Sequence, residues 1–115
     1  MKNLDELKNM VVKFARDRDW DQFHSPKNLA MAVTVEAAEL QEIFMWLTQD
    51  ESFQLTAEQK SKVVDEVGDI LICLVNFSAK LGIDPLEAAA QKIKKNHEKY
   101  PVDKSRGSAK KYDEL

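Results

Sequence analysis

The sequence predicts an all-α fold of four helices that completes its core by self-association. Three observations carry this. Glycine and proline number only three each in 115 residues, so turns are few and the segments between them long. No run alternates apolar and polar residues between turn signals, as a half-buried strand would. Helix-start signatures recur, at Ser25-Pro26, at Thr56 with Gln59, and at Asp84-Pro85 with Glu87.

The first helix starts with Asn3 as N-cap and Glu6 three residues on. Leu4, Leu7, Met10, Val11, Phe14 and Ala15 recur at helical spacing, and Arg16-Asp17-Arg18-Asp19 ends the stripe in charge. The loop Trp20-Asp21-Gln22-Phe23-His24 holds two large aromatics, which serve either as anchors on the core or as ligand contacts. Ser25 and Pro26 open a second helix that is expected to run to about Thr48. Leu29, Met31, Val33, Val35, Leu40, Ile43, Phe44 and Trp46 make it apolar nearly all round, so it must be covered on several sides. One chain of 115 residues has too few helices for that, and a homo-oligomer is expected.

Asp50 to Leu55 reads as a polar connection. Thr56 and Gln59 form a capping box for a third helix, which runs to about Leu81 and stops at Gly82. Gly68 lies inside it, where glycine costs roughly 1 kcal/mol relative to alanine. It marks either close helix packing or room for a metal or phosphate. Asp84-Pro85-Leu86-Glu87 starts the fourth helix, which carries Lys92, Lys94, Lys95 and Asn96 and ends before Pro101. The tail from about 101 to 115 is expected to be extended. Its lysines read as solvated, or as phosphate contacts together with Lys92 and Asn96.

At 115 residues the chain reads as one domain, 1–115. A net charge of −3 argues against polymeric nucleic acid as a partner. The N-terminus lacks the apolar stretch of a signal peptide, and the run Ile70 to Val75 is too short to span a membrane. The single cysteine, Cys73, has no internal partner, which fits a reducing, cytoplasmic setting.

The chemistry is carried by Glu36-Ala37-Ala38-Glu39 and Glu66-Val67-Gly68-Asp69. In each segment two acids three residues apart share one helix face. Their i+4 neighbours are Leu40, Ile43, Ile70 and Cys73, so no cation follows them at that spacing. The acids point along apolar faces, where unpartnered carboxylates are very costly. The alternative is a charged stripe on a solvated helix. Glu39 lies nine residues before Thr48 and Glu66 ten after Thr56, so an antiparallel hairpin brings the two pairs level across one gap. Four oxygen ligands without imidazole or thiolate suit a hard cation, Mg²⁺ or Mn²⁺. Iron is disfavoured, because neither His24 nor His97 follows a glutamate by three as di-iron bundles require. Such a site commonly serves phosphorylated substrates. Trp46 is expected about 10.5 Å beyond Glu39 on the same helical face, within reach of a base whose phosphates sit at the acids.

Several segments carry a resemblance to a known family. They are Arg18 to His24, Pro26-Lys27-Asn28-Leu29, Glu36-x-x-Glu39-Leu40, Phe44-Met45-Trp46, Glu66-x-x-Asp69-Ile70, Lys99-Tyr100-Pro101 and Lys111-Tyr112. With them the chain resembles the all-α nucleoside triphosphate pyrophosphatases of the MazG superfamily, and within these the dCTP pyrophosphatase subgroup. The resemblance implies a MazG-like bundle assembled as a dimer of dimers, and Mg²⁺-dependent cleavage of a nucleoside triphosphate to monophosphate and pyrophosphate in nucleotide house-cleaning. It implies metal-binding by Glu36, Glu39, Glu66 and Asp69, with Glu36 or Glu39 serving the attacking water. It implies substrate-binding by Trp20, Trp46, His24, Asn28, Cys73, Lys92 and Asn96. Two positions depart from the subgroup, which has a His where Val11 stands and a Tyr where Cys73 stands. The substrate expectation is therefore dCTP or modified dCTP, with dATP also admitted. The family's usual doubled acid is also absent, since Val35 precedes Glu36. Rival readings are a dUTPase or phosphoribosyl-ATP pyrophosphatase of the same superfamily, and a non-enzymatic helical interaction module.

Overall fold

The computed structural model describes all 115 residues, and it is helical with no strand. There are four long helices, α1 (Leu4–Asp17), α2 (Pro26–Phe44), α4 (Ala57–Lys80) and α5 (Pro85–Lys99), with a short α3 (Gln49–Ser52) between α2 and α4 and a short α6 (Val102–Ser105) after α5. Short 3-10 turns lie at Asp21–Phe23 and Tyr112–Glu114. The residues form two compact units, Met1–Gly82 and Ile83–Leu115.

The start signals act as expected. Asn3 Oδ1 accepts from Glu6 N at 2.9 Å and Ser25 Oγ from Asn28 N at 3.1 Å. Thr56 and Gln59 exchange both bonds of a capping box. At α5, Asp84 Oδ1 caps Leu86 N and Glu87 N, but Glu87 accepts from Gln91 and does not return to the cap.

Helix α2 ends at Phe44, earlier than the expected Thr48. The cause is a second capping box. Thr48 is extended (φ −71°, ψ 166°) and trades hydrogen bonds with Glu51, Glu51 N to Thr48 Oγ1 and Thr48 N to Glu51 Oε1. A residue that caps α3 cannot also continue α2. The expected polar connection thus contains a helical turn. Trp46 falls in the bend, 87% exposed, and does not extend the helical face of Glu39.

In the first unit α2 packs along α4, and α1 packs on α4. Its core is small: Val11 and Ala15 of α1, Leu29 of α2 and Val75 of α4, with the polar Asn76 and Ser78 buried among them. Met31 and Val35 of α2 stay more than half exposed, and Val64, Val67, Leu71 and Leu74 of α4 form an uncovered apolar row. A single chain therefore leaves much apolar surface in water, as the pattern of α2 predicts.

The second unit is α5 with its tail. The tail is not wholly extended. Pro101 O accepts from Lys104 N (3.1 Å) and Ser105 N (2.9 Å), which closes the turn α6. Tyr112 meets Tyr100 edge-on at 6.1 Å, and Lys99 Nζ stands 4.7 Å from the Tyr112 ring centre.

Candidate active site

The hairpin of α2 and α4 brings Glu36, Glu39 and Glu66 together, with one carboxylate oxygen from each lying within 4.8 Å of the others. Glu36 and Glu66 are half-buried and Glu39 is exposed. None of the three forms an ion pair in the chain, and Glu36 Oε2 and Glu66 Oε2 are buried with no hydrogen-bond partner at all. Asp69 stands outside this tight group, although its charge acts on both Glu36 and Glu66.

Burial, and then the nearby Glu66 and Glu39 carboxylates, push Glu36 up to about 7. Burial likewise raises Glu66. Like charges held this close in a poorly solvated place disfavour ionisation. A divalent cation would remove the conflict, and the donor set fits one: all oxygen, anionic, with two orphaned buried atoms. Nothing in the set favours a softer metal. A Cβ added at Gly68 would meet no atom within 4 Å, so tight packing within the chain does not require this glycine.

Two cavities lie along α4, one lined by members of the cluster and one by residues further along the helix. An apolar one of about 470 Å³ is lined by Val11, Phe14, Trp20, His24, Asn28 and Cys73, among others, along with Asn76. Burial, then the charges of Glu36 and Asp69, push the Cys73 thiol up, so this wall is within electrostatic reach of the acids. A polar cavity of about 460 Å³ begins at Glu39 and Glu66 and continues past Glu42, Gln59, Lys62 and Asp65. Along α4 the order is polar cavity, acids, apolar cavity.

Trp20 is placed by the end of α1. Asp19 adopts a left-handed φ of 55°, which Asp tolerates better than most residues. Trp20 N then bonds back to Ala15 O at 2.9 Å. The indole meets Phe14 edge-on at 5.7 Å and His24 at 6.4 Å. Asn28 Nδ2 donates to Phe23 O at 3.0 Å, tying the loop to α2.

Of the residues singled out in the sequence, Trp20, His24, Asn28 and Cys73 share the apolar cavity, with Val11 beside them. Trp46 is not in it. Lys92 and Asn96 lie one turn apart on α5 in the second unit, and the neighbouring Lys99 ammonium holds Lys92 below the usual lysine range. Asn76 and Lys62 were not anticipated. The signal for Asn76 was legible, since it is the lone amide in the apolar run from Ile70 to Phe77.

The MazG-like family model matches residues 31–115. The chain belongs to the MazG-like family. Its resemblance extends to dCTP pyrophosphatase 1 of Mus musculus, 37% identical over 114 residues, covering 97% of this chain and 67% of the mouse protein. The Homo sapiens protein of that name is 35% identical with the same coverage. The crystal structure of a pyrophosphatase from Archaeoglobus fulgidus DSM 4304 superposes with a TM-score of 0.80 at 40% identity, covering 84% of this chain and 91% of that one. This MazG-like chain is an enzyme, a hydrolase of the nucleoside triphosphate pyrophosphatase class.

Proposed function

We propose that this MazG-like enzyme hydrolyses dCTP or a modified dCTP, and dATP more slowly, between the α- and β-phosphates with Mg²⁺ as cofactor. Mn²⁺ is the natural substitute. The observation that carries the proposal is the acid cluster: three carboxylates converge, two with buried orphan oxygens, and none is ion-paired within the chain. Glu36, Glu39 and Glu66 would hold the metal, with Asp69 at the edge of the set. When bound, Mg²⁺ grips phosphate oxygens and offsets the charge that develops on the leaving group.

The chain's own residues do the rest. Glu36 or Glu39 orients a water and takes its proton, the role of a general base. The water oxygen bonds to the α-phosphorus, the bond from that phosphorus to the bridging oxygen breaks, and pyrophosphate departs. The nucleoside occupies the apolar cavity against Trp20 and His24. Val11, which has no hydrogen-bonding group, and Cys73, whose thiol bonds weakly, leave base selection there less strict than a His and a Tyr would. The preference for dCTP rests on the relatives' names and on the subgroup motifs.

The whole chain, 1–115, acts as one such domain within a homodimer or homotetramer, in which the exposed rows of α2 and α4 are covered by further copies. Trp46, outside the apolar cavity of its own chain, would stack on a base held by a neighbour. Lys92 and Asn96 serve the phosphates. The setting is cytoplasmic house-cleaning of the nucleotide pool, with no polymeric nucleic acid and no membrane; no helix is long and apolar enough to cross one.

A panel of the eight common nucleoside triphosphates plus 5-methyl-dCTP, with Mg²⁺ and with chelator, tests the reading. Metal-dependent release of monophosphate and pyrophosphate, dCTP fastest, is expected. Turnover of dUTP alone would overturn the substrate, and no turnover of any nucleotide would overturn the activity.

A further inference from the structure

Nearly all side-chain hydrogen bonds of the chain join residues at most five positions apart. Two do not, and both tie the Trp20–His24 segment to the end of α4. Asn76 Nδ2 lies 3.1 Å from His24 Nδ1, and Lys80 Nζ donates to Asp21 Oδ1 at 3.0 Å. Asn76 and Lys80 are one turn apart on one face of α4.

The first bond has a chemical consequence. Asn76 is only 6% exposed, in a place where an apolar residue would pack without desolvation cost. An amide nitrogen only donates, so His24 Nδ1 is the acceptor and the neutral ring carries its proton on Nε2. Asn76 thereby fixes both the ring's orientation and its tautomer. His24 and Trp20, which meet edge-on, both line the apolar cavity, and Asn76 lines it beside them.

We propose that Asn76, supported one turn on by Lys80, is the positioning residue of the base-binding wall: it holds His24 as an Nε2–H donor for an acceptor atom of the base and keeps Trp20 in place. This rests on the nucleotide reading above. Neither residue belongs to the acid cluster or lines the polar cavity, so their loss should weaken nucleoside binding and leave the chemical step alone.

The test uses Asn76→Asp, which keeps the shape and replaces the donor by an acceptor, and the pair Lys80→Met and Lys80→Arg. Imidazole ¹⁵N spectra report the tautomer. Affinity for dCMP, read by tryptophan fluorescence without metal, needs no turnover. The wild type should show Nε2–H, and Asn76→Asp should move a proton to Nδ1. Asn76→Asp should weaken dCMP about ten-fold, the scale of one lost buried hydrogen bond. Lys80→Met should weaken it about three-fold, with recovery in Lys80→Arg. The kcat at saturating dCTP should stay within about two-fold, since uniform binding is what is lost. An Nδ1–H wild type, absent dCMP binding, or unchanged dCMP affinity in both Asn76→Asp and Lys80→Met would overturn the proposal. Asn76-dependent dCMP binding without dCTP hydrolysis would instead overturn the proposed activity and leave the positioning role standing.

Discussion

Glu36 is where the physical conflict of this molecule is concentrated. Its carboxylate is pushed up to about 7 by burial and by the carboxylates facing it, whereas an ordinary glutamate titrates near 4.5. Between these values the folded chain holds a proton that the unfolded chain has lost. The folded state binds more protons there, so metal-free stability falls as pH rises from about 4.5 to about 7 and levels off above. Thermal melts across that range in chelator should show the fall, and Mg²⁺ should flatten it. Glu36→Gln removes the charge, so it should raise the metal-free melting temperature and abolish the gain from Mg²⁺, the trade expected of the proposed metal ligand. Glu39→Gln should keep the fold and lower turnover at least about 10²-fold, the usual weight of a general base. Turnover at the wild-type rate would place the chemistry elsewhere. These acids were legible because four carboxylates lacked i+4 cations. The looser position of Asp69 was not, since sequence spacing gives a helical face but not the gap across the hairpin.

At the scale of elements, the beginnings of helices were written plainly and one ending was not. Asn3, Ser25, Thr56 and Asp84 each accept a backbone N–H of the first turn, as their residue types predict. The end of α2 was hidden because Phe44-Met45-Trp46-Leu47 continues the apolar pattern, which masks the Thr48-x-x-Glu51 box behind it. Periodicity alone cannot see a cap that competes with continuation. Thr48→Ala removes that box and should cost about 1 kcal/mol. Unchanged stability would show that the bend is held by something other than its cap.

For the whole molecule, the balance of apolar surface decides. Four buried apolar side chains are a thin core for 115 residues, and small domains need most of their apolar surface covered. The uncovered row Val64, Val67, Leu71 and Leu74 follows the three-four spacing of a helix-packing seam. Sedimentation at micromolar concentration should give a dimer or tetramer, and Leu71→Glu should shift it toward smaller species. A wild-type monomer would contradict the assembly. The sequence of α2 announced this surface, because no face of that helix is polar enough to be left in water.

Hydrolysis of dCTP in ¹⁸O-water with Mg²⁺, products resolved by mass, tests the account most directly. One ¹⁸O in dCMP and none in pyrophosphate is the predicted result, lost with chelator and in Glu39→Gln. Label in pyrophosphate would move the attack to the β-phosphorus. Release of orthophosphate with dCDP would contradict the reaction altogether.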